Sequence, residues 1–354
     1  MQTITQKLAV LICVCICLMT LFISCCDDDN PVRPSHNDVD YRVYFTDAQW
    51  YNTYYAYHPT TGVIDSFTLP YNSSEAGMAI SPDGKTMYLA PPGYIVEIGL
   101  DSYTVVAEHP TPTPGGGLIA SPDGKYLAVM ERDFYIVDLA DFSVAYKDTN
   151  DHYAGRFTPD GGIFVCAGRD SAGPYAVELD IANGFQERRV SFADGSPFLV
   201  VPNHDNTKWY LLLCVHNDVF WFEVYDLLAD STTFRSLLRP GFGDIEITPD
   251  GRYVIFSQRG SEISAPPPPY FTIFDTKVNR ITFHVSTSGL GQEGSLYVPV
   301  GGLCVTPDGK HLVCLSAPVA CELLDFALED FSFANYILLG YDRWLTNLTC
   351  QSSP

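Results

Sequence analysis

The stretch "ASPDGKYLAVMERDFYIVDLADFSV", from Ala120 to Val144, contains the pattern that decides the fold. An apolar segment runs into Pro-Asp-Gly at 122–124, which favours a tight turn. Proline fixes φ at the first corner, aspartate bonds nearby backbone groups, and glycine accepts a positive φ. A second apolar segment begins at Tyr126, which predicts a β-hairpin, and further strands are expected at 134–138 and about 142–146. The unit therefore reads as an antiparallel meander of four strands.

The same turn recurs about every 40 residues along the chain, which is typical of a repeat protein. Its copies are SPDGK at Ser81 and Ser121, TPDGG at Thr158, TPDGR at Thr248, TPDGK at Thr306, and a degenerate copy, VPNHDNTKWY, that begins at Val201. A second repeated feature, an apolar strand that ends at a polar turn, occurs seven times, at His58, Gly99, Asp138, Asp180, Asp226, Asp275 and Asp325.

A four-stranded sheet of this kind cannot bury its faces alone, and packing successive sheets in a ring solves that problem. The chain begins with three predicted strands, at 41–45, 54–57 and 63–69, continues with six complete units, and ends with one strand at 342–350. We therefore predict an all-β fold, a seven-bladed β-propeller over residues 41–350. Its C-terminal strand joins the N-terminal blade and closes the ring. The alternative for the last strand is a disordered tail.

The N-terminus reads as an export signal. Lys7 precedes an apolar segment at 8–22, and a small-residue site follows at 22–25. The end of this segment resembles a bacterial lipobox, and the resemblance implies that Cys25 carries the lipid, although Phe22 departs from the usual leucine and Cys26 is a second candidate. Residues 1–24 are then a lipoprotein signal peptide and 25–40 a flexible acidic tether. The alternatives are an ordinary signal peptide or an uncleaved anchor.

The lipobox resemblance implies a location in the bacterial cell envelope. The chain would be anchored to a membrane, such as the outer membrane, through its N-terminal lipid, with the propeller on the periplasmic or the surface face. A monomeric propeller is expected.

The charge of the chain is strongly acidic, with 20 basic against 42 acidic residues and a formal net charge of −22. Such a field repels phosphate backbones, which argues against nucleic-acid partners. The acidity either serves solubility or attracts cationic ligands.

The repeated pattern of an apolar strand, [ST]-P-D-G-[KR], a second strand and then V-x-D or F-D before a polar turn resembles the YVTN/YncE-like repeat propellers of exported bacterial proteins. That group includes lactonase-like members and proteins of the quinohaemoprotein β-subunit type. The resemblance covers nearly the whole chain after the export signal but departs from the pattern at 202–205, and the literal YVTN tetrapeptide is absent. It implies a propeller that binds a ligand or hydrolyses a lactone.

Familiar catalytic and cofactor motifs give no support for an enzyme. The segment GLGQEG at 289–294 matches the dinucleotide fingerprint, but SLYVPVGG follows it where a helix is needed. The sequence contains no G-x-S-x-G, H-E-x-x-H or EF-hand pattern and no C-x-x-C-H haem attachment. We therefore predict no cofactor and no metal site, and name no catalytic residue.

Three neighbouring cysteines, Cys304, Cys314 and Cys321, are candidates for a disulfide. Cys304 and Cys314 are equally distant from Gly309, and Cys314 and Cys321 flank a second turn. That spacing predicts a row of thiols across three strands. The alternatives are small apolar core residues, a disulfide between two of the three, or a metal site.

Ligand-facing residues are expected where innermost strands and loops meet the central channel. Arg156 and Glu246 stand two residues before their turns, at a register that Ala79, Ile119 and Cys304 occupy in other copies. Equal register predicts one channel layer, in which the two charges face a ligand or pair with each other. Further candidates lie on loops expected on the face that carries the insertions at 257–270 and 286–302; they are Arg132, Arg169, His216, Arg259 and Arg343.

These features favour a binding or scaffold module for a protein, glycan or small ligand over an enzyme. The alternative is a lactonase-like hydrolase with its site at the channel mouth. A third possibility is a subunit beside a redox partner that brings its own cofactor.

Overall fold

The computed structural model describes the residues in these ranges: 41–47, 52–72, 77–112, 116–130, 133–192, 194–216, 219–238, 242–258, 271–285, 299–316, 320–341 and 345–350. All described residues belong to one compact unit, 40–354. The predicted signal peptide, the tether and Cys25 lie outside the described ranges.

Twenty-eight strands in the described ranges form seven antiparallel sheets of four strands, as predicted from the repeats. Blades 1 and 2 contain β1 (Val43–Asp47), β2 (Thr53–His58), β3 (Val63–Thr68), β4 (Gly77–Ile80), β5 (Thr86–Ala90), β6 (Tyr94–Gly99) and β7 (Thr104–Pro110), with β28 (Leu345–Cys350) completing blade 1. Blades 3 and 4 contain β8 (Gly117–Ala120), β9 (Tyr126–Met130), β10 (Phe134–Asp138), β11 (Val144–Asp148), β12 (Asp151–Phe157), β13 (Ile163–Asp170), β14 (Gly173–Asp180) and β15 (Gln186–Ser191).

The remaining three blades follow the same order, with the innermost strand first and the outermost strand last. They contain β16 (Ser196–Pro202), β17 (Lys208–His216), β18 (Val219–Asp226), β19 (Ser231–Leu238), β20 (Phe242–Ile247), β21 (Tyr253–Gln258), β22 (Phe271–Asp275), β23 (Arg280–Val285), β24 (Pro299–Val305), β25 (His311–Ser316), β26 (Ala320–Ala327) and β27 (Phe333–Tyr341). The described residues contain no helix, and so none that is long and apolar enough to cross a membrane.

The ring closes through the C-terminal strand. β28 pairs antiparallel with β1, with Val43 opposite Cys350 and Tyr44 opposite Thr349. Each innermost strand contacts the innermost strand of the next blade, and β28 contacts both β24 and β4. This confirms the predicted closure, in which the last strand supplies the missing inner strand of the first blade.

The core consists of seven apolar clusters, one at each interface between neighbouring blades. Inner strands are buried on both faces, which explains why β9 reads as a nearly continuous apolar run. Outer strands are exposed; β7, for example, has no fully buried residue. The cluster between blades 7 and 1 contains Val43, Tyr57 and Leu323, so the seam where the chain ends meet is packed like the other interfaces.

The Pro-Asp-Gly turns have a common hydrogen-bond pattern. In blade 3 the Ser121 hydroxyl donates to Asp123 Oδ1 at 2.7 Å and accepts from the Tyr126 amide at 2.8 Å. The Asp123 carboxylate accepts from the Lys125 amide, and Gly124 has a φ of 70°. The serine or threonine that begins each turn is therefore a structural part of it, a role that the sequence pattern alone did not reveal.

The degenerate copy in blade 5 folds into the same turn. Asn203 Oδ1 accepts from the amides of Thr207 and Lys208, as the serine hydroxyl does elsewhere. Asn206 takes the place of the glycine, with a φ of 48°. The departure in sequence at 202–205 is therefore no departure in structure.

The outer turns between third and fourth strands hold a residue at positive φ in all seven blades; it is Gly62 in blade 1 and a non-glycine residue in the other six. In blade 3 the Asp138 carboxylate accepts from the Ala140 amide, as expected for an aspartate that caps this turn. Phe142 then adopts a φ of 56°, and its ring stacks on His109 of blade 2 at 3.4 Å between centroids. Tyr103 stacks on Phe67 of blade 1 in the same way, at 4.0 Å. These aromatic contacts hold the outer edges of neighbouring blades together.

Candidate functional site

The innermost strands enclose a central cavity of about 340 Å³. It extends from Met78 and Leu118, near the beginnings of β4 and β8, to the turns that follow the innermost strands. Four turn prolines line it, together with Pro202: Pro122, Pro159, Pro249 and Pro307. The repeated turns thus serve architecture and also form the apolar rim of the cavity.

Adjacent turns pack against one another around this rim. The position of a Cβ on Gly124 would lie 3.7 Å from Pro82 of the preceding blade, and one on Gly309 would lie 3.7 Å from Pro249. In the degenerate turn His204 replaces the proline, lines the cavity and lies beside Gly251 of the next blade. The polar imidazole of His204 therefore lies among the prolines that form the apolar rim.

Two charged side chains reach the cavity from opposite sides of blade 5. Arg156 on β12 and Glu246 on β20 both line it, in one layer with Ala79, Ile119 and Cys304. Arg156 NH2 donates to Glu246 Oε1 at 2.6 Å. The two charges pair with each other, and each side chain stays about a quarter exposed.

A third charge supports this pair. Asp244 Oδ1 lies 3.6 Å from Arg156 NH2, and its carboxylate accepts hydrogen bonds from the amides of Ile245 and Leu303. Sequence reasoning missed Asp244. Its spacing of two residues from Glu246 was the available signal, because side chains two apart on a strand share a face.

Burial and charge act against each other on these groups. Burial raises the pKa of Glu246, the Arg156 charge opposes this rise, and the resulting pKa is about 7. Burial likewise raises the pKa of Asp244 against the effect of Arg156. For Arg156, burial acts to lower the pKa, but the two carboxylates outweigh it, so the guanidinium stays charged. The site thus has one fixed positive charge and one carboxyl that titrates near neutrality.

The cysteine prediction was wrong in its geometry. Cys304 pairs with Val313 and Cys314 with Leu303, so the two thiols point to opposite faces of the sheet. Cys314 pairs on its other side with Leu324 and not with Cys321, whose side chain is outside what the structure describes. The expected row of three thiols is therefore absent across these strands, and Cys304 and Cys314 are both free and buried. Of the alternatives for Cys314, a small residue of the apolar core is the one that the structure shows.

The loop candidates lie away from the cavity or outside the described ranges. Arg169 is exposed near the end of β13, at the opposite end of the strands from the Pro-Asp-Gly turns. His216 ends β17, and its side chain is not among those described. Arg132, Arg259 and Arg343 fall outside the described ranges, as do most residues of both insertions.

The arrangement is suited to binding. A ligand would meet apolar side chains on the side of blades 2 and 3 and the Arg156 and Glu246 pair on the other. Among the described residues, no group of three or more histidine, cysteine or acidic side chains is placed to hold a metal ion.

Known proteins resemble this chain in fold but not in sequence. No family model matches the chain, and no curated protein matches it in sequence. Kuenenia stuttgartiensis hydrazine synthase is similar in structure, with a TM-score of 0.59 and 16% identity over 72% of this chain and 76% of that one. The dihydro-heme d1 dehydrogenase NirN, solved in complex with DHE, has a TM-score of 0.60 and 14% identity over 90% of this chain and 77% of that one. At such identities the likeness concerns the propeller fold alone.

Proposed function

We propose that this propeller is a binding module that takes a small organic ligand into its central cavity. The observation that carries the proposal is the cavity itself, about 340 Å³ with an apolar wall and one charged cluster. That combination of apolar surface with a few convergent polar groups is typical of small-ligand sites. The cavity favours a small ligand over a glycan or a protein segment, which its volume would not hold.

The charges favour a ligand with a cationic or hydrogen-bond-donating group. Asp244 and Glu246 share the single positive charge of Arg156, so the ionised cluster has an excess of one negative charge. A charge without full compensation is costly in a site that is largely shielded from water. An ammonium or a donor group on the ligand would reduce that cost, while its apolar part would lie against Met78 and Leu118.

The proposal is tested by calorimetric titration of the full chain, purified in mild detergent, with a panel of alkyl and aryl amines and their neutral isosteres. At pH 8, where Glu246 is largely ionised, amines should bind and the isosteres should bind at least tenfold more weakly. Glu246→Gln should remove that preference. Glu108→Gln, on the outer strand β7, is the matched control and should leave binding unchanged. Binding of neither set, or an equal effect of both variants, would refute the proposal.

A hydrolase is the second candidate, and the pKa of Glu246 favours it. A carboxyl with a pKa of about 7 inside a cavity can act as a general base at neutral pH. Turnover of lactones by the full chain, lost in Glu246→Gln and kept in Glu108→Gln, would move the assignment to an enzyme. A ligand that binds without being consumed supports the binding module.

We also propose that the chain is held at a membrane of the bacterial envelope by a lipid on Cys25. The support is the lipobox-like segment at 22–25 and the acidic tether that follows it. Incorporation of a labelled fatty acid in cells should be lost in Cys25→Ala and kept in Cys26→Ala. Labelling that depends on Cys26 instead would move the anchor by one residue, and no labelling of the parent chain would refute it.

A further inference from the structure

Two cysteines meet at the seam where the ring closes. Cys304 lies on β24, the innermost strand of blade 7, and Cys350 lies at the end of β28, the innermost strand of blade 1. Both line the central cavity, and Cys350 packs against the apolar cluster that contains Cys304. They are 46 positions apart in sequence, and only the closed ring brings them together.

The two thiols converge on one backbone oxygen. The Val305 carbonyl accepts from Cys350 Sγ at 3.2 Å and from Cys304 Sγ at 3.9 Å. Both sulfur atoms therefore lie within 3.9 Å of the same carbonyl oxygen. The neighbouring Cys350 thiol also contributes to the raised pKa of Cys304.

The seam between β24 and β28 has no shared ladder of backbone hydrogen bonds. The two strands belong to different sheets, and Leu348 and Cys350 of β28 pack against the apolar cluster that contains Cys304 of β24. β28 is held in blade 1 by its pairing with β1 alone, and the register of that pairing shifts between Tyr44 and Thr46. A covalent bond here would fasten the terminal strand to both of its neighbouring blades.

We propose that Cys304 and Cys350 form a disulfide that fastens the C-terminal strand of the propeller to its last blade. The oxidant is a small-molecule or protein disulfide, as found in compartments that support structural disulfides. A Cys350 thiolate attacks the disulfide of the oxidant, which releases one thiol and leaves a mixed disulfide on Cys350. The Cys304 thiolate then attacks the Cys350 sulfur, releases the second thiol, and completes the bond. Two protein thiols are oxidised, one external disulfide is reduced to two thiols, and the two thiol protons go to those leaving groups.

The exposure of the two side chains sets the order of attack. Cys304 is 3% exposed, whereas Cys350 is partly exposed. Burial raises the pKa of the Cys304 thiol well above its usual value, and the neighbouring Cys350 adds to that rise. Cys350 is therefore the thiol that an oxidant reaches first, and Cys304 reacts once the mixed disulfide lies beside it.

The tryptic map separates this pairing from the others. Cleavage after Arg280, Lys310 and Arg343 gives one peptide, 281–310, that contains Cys304 as its single cysteine, and another, 344–354, that contains only Cys350. Cys314 and Cys321 both lie on the intervening peptide, 311–343. A link between 281–310 and 344–354 therefore identifies the proposed bond without ambiguity.

The experiment treats the full chain with oxidised glutathione, blocks remaining thiols by alkylation, and maps tryptic peptides under non-reducing conditions. We expect peptide 281–310 joined to 344–354. Thermal unfolding should show a rise in melting temperature on oxidation, on the order of 5 °C. Cys304→Ser and Cys350→Ser should both lose that rise. Cys314→Ser, which removes a buried thiol on the opposite face of the same sheet, should retain it.

Alkylated Cys304 and Cys350 after oxidation would overturn the proposal, as would a link from 281–310 to 311–343. The peptide map is made on the parent chain, so it decides the question even if a serine variant fails to fold.

Discussion

The Tyr57 hydroxyl donates a hydrogen bond to Asp325 Oδ2 at 2.7 Å, and the bond crosses the seam between blade 1 and blade 7. The other carboxylate oxygen, Oδ1, lies 2.9 Å from His311 Nδ1. Tyr57 and Asp325 are both buried, and they are 268 positions apart in sequence. A polar link inside an apolar interface makes the fit of the first blade against the last one specific.

Removal of this link should weaken the closed ring. We expect Tyr57→Phe to lower the free energy of unfolding by about 1–2 kcal/mol, because a buried carboxylate oxygen of Asp325 loses its donor. Urea denaturation followed by circular dichroism measures the change.

The matched control for that variant is Tyr225→Phe, which removes a hydroxyl bonded at 2.7 Å to the exposed Asp230 within blade 5. Its cost should be smaller, because water can replace the lost donor there. Equal losses of unfolding free energy in the two variants would show that the hydrogen bond across the seam contributes no more to stability than an exposed one.

His311 should make the seam dependent on pH. The hydrogen bond to Asp325 raises the pKa of His311, against the effect of burial. A raised histidine pKa means that the folded state binds the proton more tightly than the unfolded state. Its contribution is fully present below the unfolded pKa of about 6.5 and is lost as the pH rises through the folded pKa.

The measurement is the difference in unfolding free energy between the parent chain and His311→Asn at several pH values from 5.5 to 9. The free energy of unfolding of the parent should exceed that of His311→Asn by the largest amount at pH 5.5, and this excess should shrink as the pH rises. A difference that stays constant, or that grows with pH, would contradict the assigned protonation.

The Glu246 carboxyl in the cavity should make the stability of the propeller depend on pH. Its pKa of about 7 is above the usual 4.5, so the folded state holds this proton more tightly than the unfolded state. The resulting stability is present below about pH 4.5 and is lost as the pH rises through about 7. The glutamine of Glu246→Gln does not titrate. As the pH rises across this interval, we therefore expect the free energy of unfolding of the variant to increase relative to that of the parent by up to about 3 kcal/mol.

Thermal unfolding of both proteins from pH 4.5 to 8 tests this expectation, with Glu108→Gln as a control for the removal of one negative charge. If the melting temperatures of Glu246→Gln and the parent change with pH in parallel, the pKa of Glu246 is not raised in the folded state.

The blade count and the closing strand could be predicted because both follow from local chemistry that is repeated in the sequence. The Pro-Asp-Gly turn marks the first hairpin of five blades, and an unequal number of strands at the two ends leaves one solution for the ring. The shared layer of Arg156 and Glu246 followed from their equal distance to the turn, since each blade repeats the same register.

The cysteine partners could not be predicted in the same way. Placing the hairpin centre on Gly309 put Cys304 opposite Cys314, but the true register pairs Cys304 with Val313. A shift of one residue moves a side chain to the other face of the sheet. The neighbour of Cys304, Cys350, lies across the closed seam, and no local pattern in the sequence shows that contact.

Asn206 offers a test of how the degenerate turn of blade 5 is stabilised. It has a φ of 48° at the position where the other turns have glycine, so a glycine substitution would relieve backbone strain. However, Asn206 Oδ1 accepts from Trp209 Nε1 at 3.2 Å, and its amide donates to Glu178 at 2.8 Å. Trp209 is fully buried, so its indole N–H would lose its partner.

We therefore expect Asn206→Gly to destabilise the propeller by about 1 kcal/mol in spite of the more favourable backbone, because an unpaired buried donor costs about 1–3 kcal/mol. The reciprocal change, Gly124→Asn, is the control. Asparagine tolerates this φ, and a Cβ there meets Pro82 at an ordinary 3.7 Å, so a smaller loss is expected. Urea midpoints and the fluorescence of Trp209 provide the measurement. A more stable Asn206→Gly chain would mean that backbone strain, and not the bond to Trp209, dominates this turn.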